Sequence, residues 1–204
     1  LFATELHSIP SHVPYLHTMQ PAPEHLRIEP PPGGLNVGVV WASNPDNKAM
    51  YRNKSMPLAV LMPLLTDLLQ LGLIELHSLQ FGHDADQLTP WRGLEGVKEW
   101  HHELTDFSDT AHLVRQLDLV ISVDTAVAHL AGALNRPTWL LLPRNADFRW
   151  LKDRSDSPWY PSMRLFRQRQ HGDWSGIVED LRNAFEDLTQ LEFSSLATNL
   201  SACQ

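Results

Sequence analysis

The chain has 204 residues, 43% of them hydrophobic, enough for a packed core and between the sizes of one large domain and two small ones. A formal net charge of −8, with acidic and basic residues interspersed, argues against a protein that grips nucleic acid along its backbone. The one cysteine, Cys203, rules out a disulfide framework and a cysteine-based metal site. No apolar run is long enough to span a bilayer and no leader pattern opens the chain, so a cytoplasmic location is expected.

Residues 1–34 are rich in proline and histidine, too proline-rich for a helix interior or a central strand. They read as a linker, a docking segment or the tail of a preceding domain. Residues 35–42, "LNVGVVWA", form a short β-branched run suited to a strand buried on both faces, and a polar loop, "SNPDNKAMYRNKS", follows. From Pro57 apolar residues recur three or four apart, which predicts a helix ended by Gly72; Pro63 should kink it or delay its start. "LIELHSLQF" (73–81) is the next strand, "VKEWHHE" a weak one, and "DFSDTAHLVRQL" a helix capped by Ser108 or Asp109. "LDLVISV" is the strongest strand; it enters a helix, "TAVAHLAGAL", with Val127, Leu130, Ala131 and Leu134 inward. "RPTWLLLP" and "MRLFRQ" complete the strands. A last helix buries the stripe Trp174, Ile177, Val178, Leu181, Phe185 and Leu188 behind Asp173. This alternation predicts an α/β, Rossmann-like doubly wound parallel sheet over 35–188 with a tail over 189–204.

Ligands of an open parallel sheet bind beyond the carboxyl ends of its strands, so the residues after each apolar run are the candidates. After the first strand come Ser43, Asn44, Lys48, Arg52, Lys54 and Ser55, hydroxyls, amides and cations that could hold a phosphate or simply form a solvated loop. After the strongest strand, Asp124-Thr125 stands at a helix opening. The free amides and the dipole there suit a diphosphate; Ala126 and Ala128 permit close approach, and His129 lies one turn on. The alternative is that Asp124 is only a cap and His129 a partly buried histidine bonded to a carbonyl. Gln80 could read a base edge or be a solvated amide. Trp150, Trp159 and Tyr160 could stack on a sugar or base or lock their loop onto the domain. Eleven histidines include no metal-ligand spacing, so no metal is expected. Serine-hydrolase, dinucleotide and phosphate-loop fingerprints do not occur.

Several segments taken together, "VGVVWASNP", "LHSLQ", "DFSDTAHLVRQLDLVISVDTAVAHLAGALNRPTWLLLP" and "FRWLKDRSDSPWYPSMRLFRQ", resemble the C-terminal half of glycosyltransferase-B-type enzymes. The likeness is to the glycosyltransferase regions of bacterial tetratricopeptide-repeat proteins and to the ADP-heptose:lipopolysaccharide heptosyltransferases, and more distantly to O-linked N-acetylglucosamine transferases. It spans residues 36–175. The resemblance implies a nucleotide-diphosphate sugar as donor substrate and no further cofactor. It implies that Asp124, Thr125 and Ala126 hold the diphosphate with His129 beside it, that Ser43, Asn44, Arg52 and Ser55 meet phosphate, and that Gln80 meets the base. Where many relatives have Lys-Gly after the "SLQ" segment, this chain has Phe81-Gly82. A protein or glycan acceptor and an N-terminal acceptor-binding domain are implied as partners. At this length the chain is expected to be one half of such an enzyme or a degenerate relative, with the general base elsewhere. The competing reading is a non-catalytic nucleotide-sugar-binding or interaction module; a hydrolase or epimerase on the same fold is a third.

Overall fold

A computed structural model describes residues 5–18, 20–31 and 33–189; the predicted tail lies, Thr189 apart, outside them. Among the described residues the strands are β1 (Leu35–Val40), β2 (Ile74–Ser78), β3 (Val97–Glu99), β4 (Leu119–Val123), β5 (Thr138–Leu142) and β6 (Met163–Arg167). They form one sheet in the order β3-β2-β1-β4-β5-β6, with every neighbouring pair parallel. This is the doubly wound Rossmann order, and its switch point falls between β1 and β4. The predicted α/β class and all six strands are therefore present.

Side-chain alternation sends successive residues of a strand to opposite layers, so the central strands β4 and β5, covered on both faces, are buried at every position. From β4, Leu119, Ile121 and Val123 face the layer of α2 (Leu58–Gln70) and α5 (Ser175–Thr189), while Val120 faces that of α3 (Phe107–Val114) and α4 (Ala126–Ala133). β5 divides likewise, with Trp139 and Leu141 in the first core and Leu140 and Leu142 packed beneath Trp150 and Tyr160 in the second layer. Of the predicted stripe on α5, Trp174, Ile177, Leu181 and Phe185 are buried and Leu188 is half exposed.

Three local expectations are corrected. The polar loop after β1 contains a helix, α1 (Lys48–Lys54), started by Asn47, whose side chain accepts from the Met50 amide. Pro63 sits inside α2, which runs from Leu58 to Gln70, so it does not delay the start of the helix; Pro63 and Ala59 both lie on the exposed face, where water can reach the carbonyl that loses its partner. The cap of α3 is Asp106, accepting from the Ser108 and Asp109 amides. Gly72, with φ 66°, ends α2 as expected and returns the Leu73 amide to the Leu68 carbonyl. A 3-10 stretch, His83–Trp91, had no periodic signal.

The N-terminal segment docks on the α3/α4 side. Leu26 is fully buried there, the Ile28 amide donates to Gln116 Oε1 at 3.0 Å, and Gln116 Nε2 donates to the Leu26 carbonyl at 2.8 Å. Tyr15 donates its amide to the Ala133 carbonyl at 3.1 Å.

Gly132 of α4 is required by close approach. A Cβ there would stand 2.5 Å from the Tyr160 ring and 2.7 Å from Met163 Cε. Alanine would gain about 1 kcal/mol of helix propensity, but overpacking against a buried ring costs about 1–3 kcal/mol. Gly132→Ala is accordingly expected to lower the urea midpoint, and a raised midpoint would show that Tyr160 yields.

Candidate functional site

At the switch point the carboxyl ends of β1, β2 and β4 open on a cavity of about 780 Å³, within the range of small-molecule sites. Its walls are Val40 at the end of β1, Ala42 to Pro45 and Asn47 after it, Met50 and Lys54 of α1, Leu79 to Gly82 after β2, Thr105 to Phe107 and Thr110 at α3, and Asp124 to Val127 at the start of α4. One part is apolar, with Leu79, Phe81, Phe107 and Val127; Phe81 and Phe107 are 45% and 60% exposed, unusual for aromatic side chains unless something covers them.

The polar end is built on α4. Thr125 is its N-cap residue, yet no side chain caps the helix: the Thr125 hydroxyl lies 3.0 Å from Ser122 Oγ instead. Asp124 is therefore not the cap. Its carboxylate is 5% exposed and pairs with Lys54 Nζ at 2.6 Å. The first-turn amides of α4 are left without a side-chain partner and aimed at the cavity with the positive end of the helix dipole. Ala126, exposed and without bulk, covers none of them.

Lys54 reaches this place through contacts distant in sequence. Tyr51, one turn earlier on α1, donates its hydroxyl to Asp84 Oδ1 at 2.7 Å; that hydrogen bond, with burial and the carboxylate charge, pushes the phenol up to about 12. Gln87 joins Asp84 at 2.6 Å and accepts from the first amide of α2. On the other side the Ser43 amide donates to Ser55 Oγ at 3.0 Å, and the Met56 amide to the Trp41 carbonyl at 2.9 Å. The loop after β1 is thus zipped onto the end of α1, and Lys54 projects at Asp124.

The residues named from the sequence fall into two groups. Ser43, Asn44, Gln80, Asp124, Thr125 and Ala126 line the cavity; Arg52 is exposed and absent from its walls, and Ser55 serves from behind through Ser43. Asn44 also accepts from the Asp46 amide at 3.0 Å, which turns the loop. Gln80 is 4% exposed, accepts from the Trp41 and Ala42 amides and donates to the Ala42 and Phe81 carbonyls. All four hydrogen-bonding positions of its amide are taken up in bracing the ends of β1 and β2. Lys54, one of the three cations considered in this loop, is a wall, and Thr105, Asp106 and Phe107 are walls that the sequence did not point to.

His129 stands beside this cavity. Its Nε2 lies 3.7 Å from Asp124 Oδ1 and its Nδ1 3.1 Å from the Tyr160 hydroxyl; burial lowers its pKa despite the neighbouring carboxylate. It lines a second pocket of about 420 Å³ with Phe148, Arg149, Trp159 and Tyr160. Of the three aromatics considered for stacking, Trp150 and Tyr160 are buried in the core, and their role is to hold the loop after β5. The described residues contain no group of three or more His, Cys, Asp or Glu able to hold a metal ion, and no helix long and apolar enough to cross a membrane.

A family model described as glycosyltransferase family 9 (heptosyltransferase) matches residues 98–142, which run from β3 to the end of β5 and include Asp124, Thr125, Ala126 and His129. Protein FlbA of Caulobacter vibrioides is 30% identical over 159 residues, 76% of this chain and 25% of that protein. Among solved structures, the E. coli ADP-heptose lps heptosyltransferase II superposes with a TM-score of 0.56 at 16% identity, over 78% of this chain and 48% of that one. E. coli heptosyltransferase WaaC with ADP gives 0.54 at 18%, over 79% and 45%. The chain spans a quarter of FlbA and about half of each heptosyltransferase. At such identities the structural matches establish the fold. That fold is the Rossmann-like α/β architecture found in the heptosyltransferases, and the stretch matched by the family model lies inside it.

Proposed function

We propose that this domain binds the nucleotide-diphosphate sugar donor of a glycosyltransferase, as the C-terminal half of a GT-B enzyme. The observation that carries the reading is the uncapped N-terminus of α4, which faces the switch-point cavity beside a buried lysine. The diphosphate lies over the amides of Ala126 and Val127, within reach of Lys54 and Ser43. The base occupies the apolar part between Phe81, Phe107, Leu79 and Val127. E. coli heptosyltransferase WaaC, similar in fold, is known with ADP and with ADP-2-deoxy-2-fluoro heptose bound, which favours adenine among the bases.

Glycosyl transfer leaves negative charge on the departing diphosphate, and fixed amides with a cation are suited to hold it as it develops. The acceptor, and the group that takes its proton, belong to a partner domain in this reading. A module that binds the donor without transfer would use the same cavity, and turnover with an acceptor separates the two.

Ala126→Glu tests the site without endangering the fold. A carboxylate in the first turn of a helix is worth about 0.3–1 kcal/mol of stability, yet it would occupy the place of the diphosphate and repel it. Calorimetric titration with ADP, UDP and GDP is expected to find saturable binding of one of them to the parent. The same nucleotide should bind Ala126→Glu at least about tenfold more weakly, a cost of about 1.4 kcal/mol. Binding of none by the parent, or equal binding by the variant, would overturn the reading.

A further inference from the structure

We infer that the second pocket, after β5, is a pyranose subsite that receives the sugar of the donor whose diphosphate lies over α4; this deepens the proposed function and rests on it. Three observations lead there. The pocket adjoins the first across a single side chain, since His129 lines it and also lies 3.7 Å from Asp124. A ligand crossing the start of α4 therefore passes from one to the other.

Its walls have the chemistry that recognises a sugar ring. Phe148 and Trp159 supply apolar surface for the C–H face of a pyranose, and Arg149 and His129 supply donors for hydroxyl groups. The walls are also rigid. Trp159 donates its indole N–H to the Arg149 carbonyl at 3.0 Å, Asp147 accepts from the Arg149 amide at 3.1 Å and lies 3.3 Å from its guanidinium, and Tyr160 is buried. Preorganisation of this kind is what a weak, hydrated ligand requires.

Phe148 is the third observation. It is 76% exposed, the most exposed large hydrophobic side chain among the described residues, in the short turn Phe148–Trp150. The Arg149 guanidinium stands over it, 5.4 Å from the ring centre. An aromatic side chain held beside a pocket and left bare adds nothing to the core; against a sugar face it acquires a partner.

The test compares each nucleoside diphosphate with its hexose conjugate by calorimetry: ADP with ADP-glucose, UDP with UDP-glucose, GDP with GDP-mannose. For the nucleotide that binds, the conjugate is expected to bind the parent more tightly than the diphosphate. Phe148→Ala, a surface change that leaves the fold intact, should weaken the conjugate about five- to tenfold, as loss of an aromatic stack would, with the diphosphate unchanged. Arg149→Met is expected to act in the same direction. Conjugate and diphosphate of equal affinity, or Phe148→Ala weakening both equally or neither, would overturn the subsite while leaving the donor site standing. Failure of every nucleotide to bind would overturn both.

Discussion

Lys54→Met is expected to destabilise the domain by about 3–5 kcal/mol and to abolish nucleotide binding. The stability loss follows from Asp124, which is 5% exposed and has Lys54 Nζ 2.6 Å away; removing the cation leaves a buried carboxylate without compensation, whereas the intact pair is worth little by itself. His129, 3.7 Å from the same carboxylate, can take up a proton in the variant, so the deficit should shrink on the acid side of neutrality. Lys54→Met with Asp124→Asn removes both charges and is expected to return most of the lost stability but none of the nucleotide affinity. Urea unfolding and calorimetry on the three proteins separate the roles. A single variant as stable as the parent would show the pair to be unimportant for the fold, and one that binds nucleotide normally would remove Lys54 from the diphosphate site.

The second large effect is an acid sensitivity set by His77. This residue is fully buried in β2, with Nε2 2.9 Å from Asn36 Oδ1 and Nδ1 accepting the Trp100 indole N–H at 3.0 Å. The Trp100 contact demands a lone pair on Nδ1, so the neutral ring carries its proton on Nε2 and donates it to Asn36. Burial, helped by the charge of Lys98, lowers the imidazole pKa to about 3. The unfolded chain protonates His77 near pH 6.5, so its contribution is complete above that pH and is lost as pH falls toward 3. The slope is about 1.4 kcal/mol per pH unit, and the whole window is worth on the order of 5 kcal/mol. Nitrogen chemical shifts should keep His77 neutral with Nε2 protonated down to pH 5, while the urea midpoint drops between pH 6.5 and 4.5. Titration of His77 above pH 5 would contradict this.

The centre of the sheet was legible because its strands, buried on both faces, carry largely apolar runs, while the edge strand β3 (Val97–Glu99) gave only a weak signal. β4 is the clearest, and the small residues behind it announce a helix that must let something approach. Ala126 and Asp124 could be found on that ground alone. Lys54 could not be told from Lys48 and Arg52, because the segment reads as a polar loop and the choice among its cations depends on a helix anchored by Tyr51 to Asp84, 33 positions away. Arg52 was preferred on charge and resemblance, and the turn of α1 leaves it outside the walls. Gln80 looked like a free rim amide, and nothing local reveals that two strand ends close around it. The α3 wall, with Phe107, was missed for the same reason: its place opposite α4 is a product of sheet order, and no window of sequence encodes it.

The docking of the N-terminal segment bears on how this domain can be moved or rebuilt. Leu26 fills a hollow between α3 and the sheet, and Gln116 holds the backbone at Leu26 and at Ile28 just after it. The portable unit is therefore larger than the sheet and its helices. A graft into another protein that begins at β1 would uncover a greasy furrow along α3 and α4 and invite self-association, while one that begins before Glu24 would carry its own cover.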